Sequence, residues 1–303
     1  MEKIKKKILI VGGTGFIGYY LAKECLEKKW KVVSFSKHPP KKKRYLPKVK
    51  YLTGDLFIKN NLKLLNKSFN YVVNLGGYVD HKNKKKTFNS HYVGCKNLSN
   101  FFVKKNIEAF VQMGSSGEYG ALRSAHKETA FCRPMSIYNQ AKFLATKHLL
   151  NLHKEKKFPV TILRLYQAYG PRQDINRFIP IVIDACLKNE KFPCSDGNQF
   201  RDFIHVRDVV KAILKSLAIK KAKGEIINIG SGKPQKIKSI IHYLQYKIKG
   251  GYPQFGKLKL RREETLKIYP NINKAKKILR WNQKIKFSKG LMETLRYYKK
   301  NFG

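Results

Sequence analysis

Short β-branched runs alternate with stretches of helical length through the first half of the chain. The runs are KILIV (7–11), VVSF (32–35), VKYL (49–52), YVVNL (71–75), AFVQM (109–113) and VTILRL (160–165). Between them lie helix-length segments such as FIGYYLAKECLEKK, SHYVGCKNLSNFFVKKN and YNQAKFLATKHLLNLHK. Alternation of this kind implies a parallel sheet with helices on both faces, joined by right-handed crossovers. The expected fold class is doubly wound α/β with a smaller C-terminal lobe. After Arg164 the rhythm loosens, and Pro171, Pro180, Pro193 and several glycines punctuate shorter pieces. The strand-like EIINIG (225–230) is expected to return to the first sheet, and the basic, helical C-terminal segment to belong elsewhere. The division this predicts is a nucleotide domain over 1–165, with 203–232 returning to it, and a substrate lobe built from 166–202 and 233–303. Ligands in such sheets bind beyond the carboxyl ends of the strands, which makes the cleft between the lobes the expected site.

The composition adds one unusual feature. Of 303 residues, 42% are hydrophobic and 12% aromatic, as in a folded protein with a large core, yet 65 Lys and Arg face 19 Asp and Glu for a net charge of +46. Such an excess suits nucleic acid or a membrane surface if it is concentrated on one face. Here Lys is scattered through every segment, and only twelve of the cations are Arg, the residue that reads phosphates and bases bidentately. We read it as a solvated lysine surface with no specific nucleic-acid partner, one that would still steer an anionic substrate. The five Cys (25, 95, 132, 186, 194) show no C-x-x-C spacing, which points to reduced thiols with neither metal nor disulfide framework. No run reaches membrane-spanning length, and ILIV is too short for a signal segment, so the expected location is cytoplasmic, with no membrane partner.

The first strand runs into VGGTGFIG, which holds Gly12, Gly15 and Gly18 at three-residue spacing where a helix pattern begins. Between a buried strand and an amphipathic helix this is a pyrophosphate cradle: Gly12 allows the turn, Gly15 the approach of phosphate, Gly18 close helix packing. An acid at the end of the second strand would accept hydrogen bonds from the adenosine ribose, and it is missing: Ser36 stands there, followed by Lys37. A hydroxyl and a cation favour NADP(H), with NAD(H) possible, unless the two residues simply belong to a solvated loop.

Tyr-x-x-x-Lys occurs five times, at Tyr19, Tyr78, Tyr92, Tyr138 and Tyr243, so spacing alone decides nothing in a chain this rich in both residues. Placement separates them. Only Tyr138 opens a helix just after the fifth strand and its loop, and that strand ends in MGSSGEYG, where a Ser hydroxyl can converge on the same rim.

Taken in order, the glycine turn, GDL (54–56), GSSGEYG, YNQAK, RLYQAYGPRQ, FRDFIHVRDVV and INIGSG resemble the extended short-chain dehydrogenase/reductase family, in its nucleotide-sugar epimerase, dehydratase and reductase branch, over nearly the whole chain. The resemblance implies a Rossmann domain, a nucleotide-diphosphate sugar as substrate, and a homodimer paired through helices at 84–105 and 138–154. It assigns Ser115, Tyr138 and Lys142 to catalysis: Tyr138 as acid/base, the Lys142 ammonium stabilising its phenolate and holding the nicotinamide ribose, and Ser115 hydrogen-bonding the reacting oxygen. It adds Thr14, Phe16, Ile17, Leu56, Leu75 and Gly76 to the cofactor contacts, and Asp55 as a partner of the adenine amino group, for which a helix N-cap is the alternative. On the substrate side it implies Ser116, Gln167 and Arg201, the last gripping the diphosphate through its planar fork or else pairing with Asp202, and Arg172 as a further candidate for the same diphosphate.

Two departures stand out: Gln167 replaces a usual Asn, and His91-Tyr92-Val93-Gly94 stands where NVxG is common. His91 reads as a packing or polar-wall residue. Among the reactions of the branch, 4,6-dehydration resembles least, because Ser116 and Gly117 occupy the positions of the acid pair, with Glu118 one place later as a loophole. The absent acid at Ser36 and the resemblance of GGYPQFGKLKLRREE (250–264) and LRWNQKI (279–285) to 4-keto-6-deoxy nucleotide-sugar reductases favour an NADP(H)-dependent reductase, with a 4-epimerase as the alternative and, ranked below both, a 4,6-dehydratase or a non-catalytic nucleotide- or RNA-binding relative.

Overall fold

The computed structural model describes residues 5–78, 80, 83–259 and 265–302. Lys82, the partner of Tyr78 in one Tyr-Lys pair, and the end of the 250–264 segment lie outside the described residues. In the first half β1 (Lys7–Val11), α1 (Phe16–Glu27), β2 (Lys31–Ser36), β3 (Val49–Thr53), β4 (Tyr71–Asn74), α2 (Lys84–Phe88), α3 (Gly94–Phe102), β5 (Ala109–Ser115), α4 (Ile137–Lys156) and β6 (Val160–Leu165) follow one another. Then come β7 (Gln167–Tyr169), α5 (Phe178–Leu187), β8 (Lys191–Pro193), β9 (Phe200–Arg201), β10 (Phe203–His205), α6 (Val206–Ala218) and β11 (Ile226–Ile229). The remainder is β12 (Gln235–Lys236), α7 (Ile237–Ile248), β13 (Tyr252–Gln254), β14 (Lys267–Ile268), α8 (Asn273–Leu279) and α9 (Phe287–Phe302). All six runs singled out by their β-branched content are strands.

Seven of the strands form one parallel sheet in the order β11-β6-β5-β4-β1-β2-β3, so EIINIG supplies the edge strand beside β6. The order reverses between β1 and β4, and a crevice at such a switch point is where doubly wound sheets bind their ligands. Both faces are covered, which is why the strands read as near-continuous apolar runs. Along β1, Ile8 and Ile10 face a core with Leu21 and Ala22 of α1, Val209 and Ile213 of α6 and Leu279 of α8. Leu9 and Val11 face the opposite core, with Leu98 and Phe102 of α3 and Ala145 and Leu149 of α4. A third core gathers α5, α7 and α9 around Ile183, Ile241 and Leu295.

The segment after β4 is not a single α-helix. Asn83 caps α2 by accepting from the Lys86 amide, and a π turn, Asn89–Val93, then separates α2 from α3 and carries His91. Helix α4 starts under a side-chain cap, the Ser136 hydroxyl accepting from the Asn139 amide, and this puts Tyr138 in its first turn.

Candidate active site

The glycine turn has the shape that a close backbone approach requires. Gly12 takes a φ of 75°, donates its amide to the Phe35 carbonyl, and accepts the Gly15 amide at 3.0 Å. A Cβ on Gly18 would come within 2.3 Å of the Gly12 carbonyl oxygen, so α1 can lie against the turn only without a side chain there. Phe16 and Ile17 open α1, where first-turn amides have no partner within the helix. Leu75 and Gly76, directly after β4, press on the other side, since a Cβ on Gly12 would meet their backbone at 3.0 Å. Gly12, Leu75 and Gly76 thus form one continuous wall at the switch point.

Ser36, at the end of β2, is buried and accepts the Thr14 amide at 3.4 Å, tying the turn to the second strand. Lys37 pairs with Asp55 at 3.1 Å, and the other carboxylate oxygen of Asp55 accepts the Phe57 amide. Asp55 therefore serves as a local turn cap and as a partner for Lys37, while Leu56 beside it packs on Gly94.

Ser115, Tyr138 and Lys142 meet at the carboxyl end of β5. Lys142 is the one buried lysine among the described residues of this lysine-rich chain. Its ammonium reaches from α4 to β5 and donates to the Met113 carbonyl at 2.7 Å, two residues before Ser115. A desolvated ammonium with a backbone carbonyl as its protein partner is costly, and such groups concentrate at functional sites. Asn139 is seated on Gly117, where a Cβ would come within 2.0 Å of its side-chain oxygen, so the first turn of α4 is locked to the loop after Ser115. The Ser115 hydroxyl accepts the Gly117 amide at 3.1 Å, which leaves its own proton to donate. Half-buried Tyr138 meets the His91 ring edge to face, with centroids 4.8 Å apart. The tyrosines of three other pairs are engaged elsewhere: Tyr19 is under the Arg172 guanidinium on α1, Tyr92 packs on Phe88, and Tyr243 lies on α7 beside Lys247.

Behind this rim lies a buried network that none of the sequence motifs assigns. One oxygen of Glu118 accepts the Ser115 amide at 2.8 Å, and the other accepts Thr146 Oγ1 at 2.8 Å and Arg164 Nε at 3.0 Å. The Arg164 guanidinium covers the Tyr119 ring, whose hydroxyl donates to Asn228 on β11. The signal was present as Ser115-x-x-Glu118, the pattern of a capping box, and the box forms. It also closes the loophole left for Glu118 as a dehydratase acid: the side chain is fully buried and both its oxygens are engaged away from the cleft.

On the substrate side, exposed Gln167 lines a cavity of about 180 Å³ with Gln173, Asn176, Arg177, Phe178 and Phe203. Arg201 is buried and donates to the Phe200 carbonyl. The ion pair with Asp202 does not form, because Asp202 accepts the Ser231 amide at 2.6 Å and its hydroxyl at 2.9 Å. Burial pushes the Asp202 carboxyl up to about 6 against the opposing pull of those Ser231 hydrogen bonds. Arg172 follows Gly170 and Pro171. With a φ of 65° it reverses the chain after Pro171, its guanidinium donates to the Lys43 carbonyl between the Tyr19 and Tyr297 rings, and its own carbonyl accepts from Arg44. It ties the loop after β2 to α1 and α9 and does not line the cavity with Gln167. Ser116, next to Ser115, is half-buried at the rim.

Comparison with known proteins agrees with this architecture. A relative from Methanocaldococcus jannaschii, whose provisional name is UDP-glucose 4-epimerase, is 28% identical over 97% of this chain and 99% of its own. A UDP-glucuronate 4-epimerase from Thermodesulfobacterium geofontis is 29% identical over 70% of this chain and 66% of its own. The crystal structure of UDP-glucose 4-epimerase with UDP-glucose from Thermotoga maritima has the same fold, with a TM-score of 0.92 at 23% identity over 98% of this chain and 100% of that one. Among the described residues no helix is long and apolar enough to cross a membrane. The sequence model of the NAD dependent epimerase/dehydratase family matches residues 8–230, and the chain belongs to that family of nucleotide-sugar enzymes.

Proposed function

We propose that the chain is a nucleotide-sugar 4-epimerase in which Tyr138, Lys142 and Ser115 carry the chemistry. The observation behind this reading is the burial of Lys142, with its ammonium on the Met113 carbonyl beside Ser115 and one helical turn from Tyr138. The cradle, where a Cβ on Gly12 or Gly18 would strike backbone, suits a dinucleotide. Gly12, Thr14, Gly15, Phe16, Ile17 and Gly18 would hold its pyrophosphate, Leu75 and Gly76 its inner side, and Ser36, Lys37, Asp55 and Leu56 its adenosine. When bound, the nicotinamide supplies the hydride acceptor and donor. Tyr138 as phenolate takes the proton of the sugar C4 hydroxyl and returns it once the keto sugar has presented its other face. The Lys142 ammonium stabilises that phenolate, and the Ser115 hydroxyl donates to the same sugar oxygen as charge develops on it. Arg201 and Gln167 belong to the diphosphate side of the cleft.

The 4-epimerase names of the M. jannaschii and T. geofontis relatives support this choice, as does an engaged Glu118 that leaves Ser116 and Gly117 with no acid for dehydration. The deciding experiment supplies UDP-glucose, UDP-galactose and UDP-glucuronate with catalytic NAD and follows C4 inversion by NMR. Inversion that Tyr138→Phe slows at least about a hundredfold, without eliminating it, is expected; equal turnover by that variant would refute the assignment. Ser36 and Lys37 favour a second reading, an NADP(H)-dependent reductase of a 4-keto-6-deoxy nucleotide sugar. Stoichiometric loss of NADPH with such a substrate, and no inversion, selects it. A homodimer through α2, α3 and α4 accompanies either reading, and sedimentation measures it.

A further inference from the structure

We propose that His91 is a positioning residue, one imidazole that holds the Tyr138 phenol and the loop after β4 in a fixed relation. The proposal rests on the reading of Tyr138 as the proton-transfer group. His91 is buried in the π turn Asn89–Val93, an arrangement that is rare and recurs at functional sites. Three sides of its ring are occupied. Nε2 lies 3.1 Å from the Tyr78 carbonyl, and because a carbonyl only accepts, Nε2 carries the proton in that bond. The ring meets Tyr138 edge to face, with centroids 4.8 Å apart and planes at 82°. It also fills the space over Gly77, where a Cβ would come within 2.0 Å of Cε1, so no side chain at 77 is compatible with this ring position.

These contacts connect two parts of the site. Leu75 and Gly76, immediately before Gly77, press on Gly12 in the glycine turn, so the loop on which His91 is anchored is part of the dinucleotide wall. Tyr138 stands in the first turn of α4, where the Ser136 cap fixes its backbone, while the position of its ring depends on what its side chain touches. Proton transfer requires the phenol oxygen within hydrogen-bond reach of its target, and a small misplacement is expensive in rate. The imidazole restricts the phenol through the ring contact, and the Tyr78 carbonyl restricts the imidazole. An amide at position 91 could keep a polar contact but has no ring to lay against the phenol, while a Phe keeps a ring but loses its anchor.

The test compares the full-length parent with His91→Asn, His91→Phe, Tyr138→Phe and the Tyr138→Phe, His91→Asn double variant on UDP-glucose and UDP-galactose, with folding checked by circular dichroism. His91→Asn is expected to lower kcat about tenfold with KM changed less than about twofold. His91→Phe, which preserves ring volume, should lose about threefold by the same geometric argument. In the Tyr138→Phe background His91→Asn should cost nothing further, because the two residues act through one group. A crystal structure of His91→Asn with NAD is expected to show the Tyr138 ring rotated, a readout independent of turnover. An unchanged kcat in His91→Asn, a loss that persists undiminished in the double variant, or an unmoved Tyr138 ring each overturns the proposal. Full turnover by Tyr138→Phe instead overturns the reading on which it rests, so the two failures are distinguishable.

Discussion

Glu118 holds Ser115 with one carboxylate oxygen and Arg164 with the other, at 2.8 and 3.0 Å, and both charged side chains are fully buried. The ion pair therefore joins the rim of the cleft to β6. Replacing one member leaves the other charge buried and unpaired. Glu118→Gln is expected to lower unfolding free energy by about 3–5 kcal/mol, and the apolar double variant Glu118→Leu, Arg164→Met to recover most of it. Urea denaturation of the three proteins checks this; a double variant no more stable than Glu118→Gln would contradict it.

At the glycine turn, Gly18→Ala puts a methyl group 2.3 Å from the Gly12 carbonyl, and backbone must move. The expected result is a stability loss of about 1–3 kcal/mol from overpacking, together with dinucleotide affinity weakened at least about tenfold through distortion of the amides that bind phosphate. Isothermal titration with NAD and with NADPH measures the second effect.

Cofactor choice depends on the end of β2. Ser36→Asp introduces a carboxylate beside Lys37, which already pairs with Asp55. Like-charge repulsion of a 2′-phosphate costs several kcal/mol when unscreened, so NADPH affinity should fall by about tenfold or more while NADH stays within a few-fold. Equal loss of both cofactors would show that Ser36 acts only through the Thr14 amide it accepts.

His205 provides a pH-dependent contribution to stability. It caps α6 by accepting the Arg207 amide at Nδ1, and burial, with Arg207 nearby, pushes its imidazole down to about 4. Because the folded value lies below the unfolded one, the unfolded chain takes up a proton first as pH falls. Stability is fully present above about pH 6.5 and is lost progressively between there and pH 4, by about 3 kcal/mol at most. His205→Asn, which can still cap the helix, should flatten that slope in melting temperatures recorded from pH 7 to 4.

The fold was legible early because the strands of the main sheet, edge strand β3 apart, are buried on both faces and so had to be apolar and short. The candidate site was legible where the proposed chemistry demands a residue type at a defined place: the glycines of the turn, and a Tyr-Lys pair at the start of a helix following β5. Two things were hidden. Arg172 was expected at the diphosphate from its motif, and the motif did not show the left-handed backbone, φ 65°, that the residue takes. The π turn at His91 left no trace in the periodicity, since one extra residue in a turn shifts the pattern too little to see.

What the amino-acid order determined alone was local: which runs become strands, where glycine must allow close approach, and which hydroxyl, phenol and amine sit near strand ends. Five Tyr-Lys pairs were equivalent by spacing. Place along the chain singled out Tyr138, and tertiary packing added what sequence could not, because desolvation is a property of the surroundings, and among the described lysines of those pairs burial falls on Lys142. Packing likewise gave Glu118 to Arg164 rather than to the cleft, and set His91 against Tyr138 across 47 positions of sequence, a contact that the folding of β5 and α4 against the helix after β4 brings about.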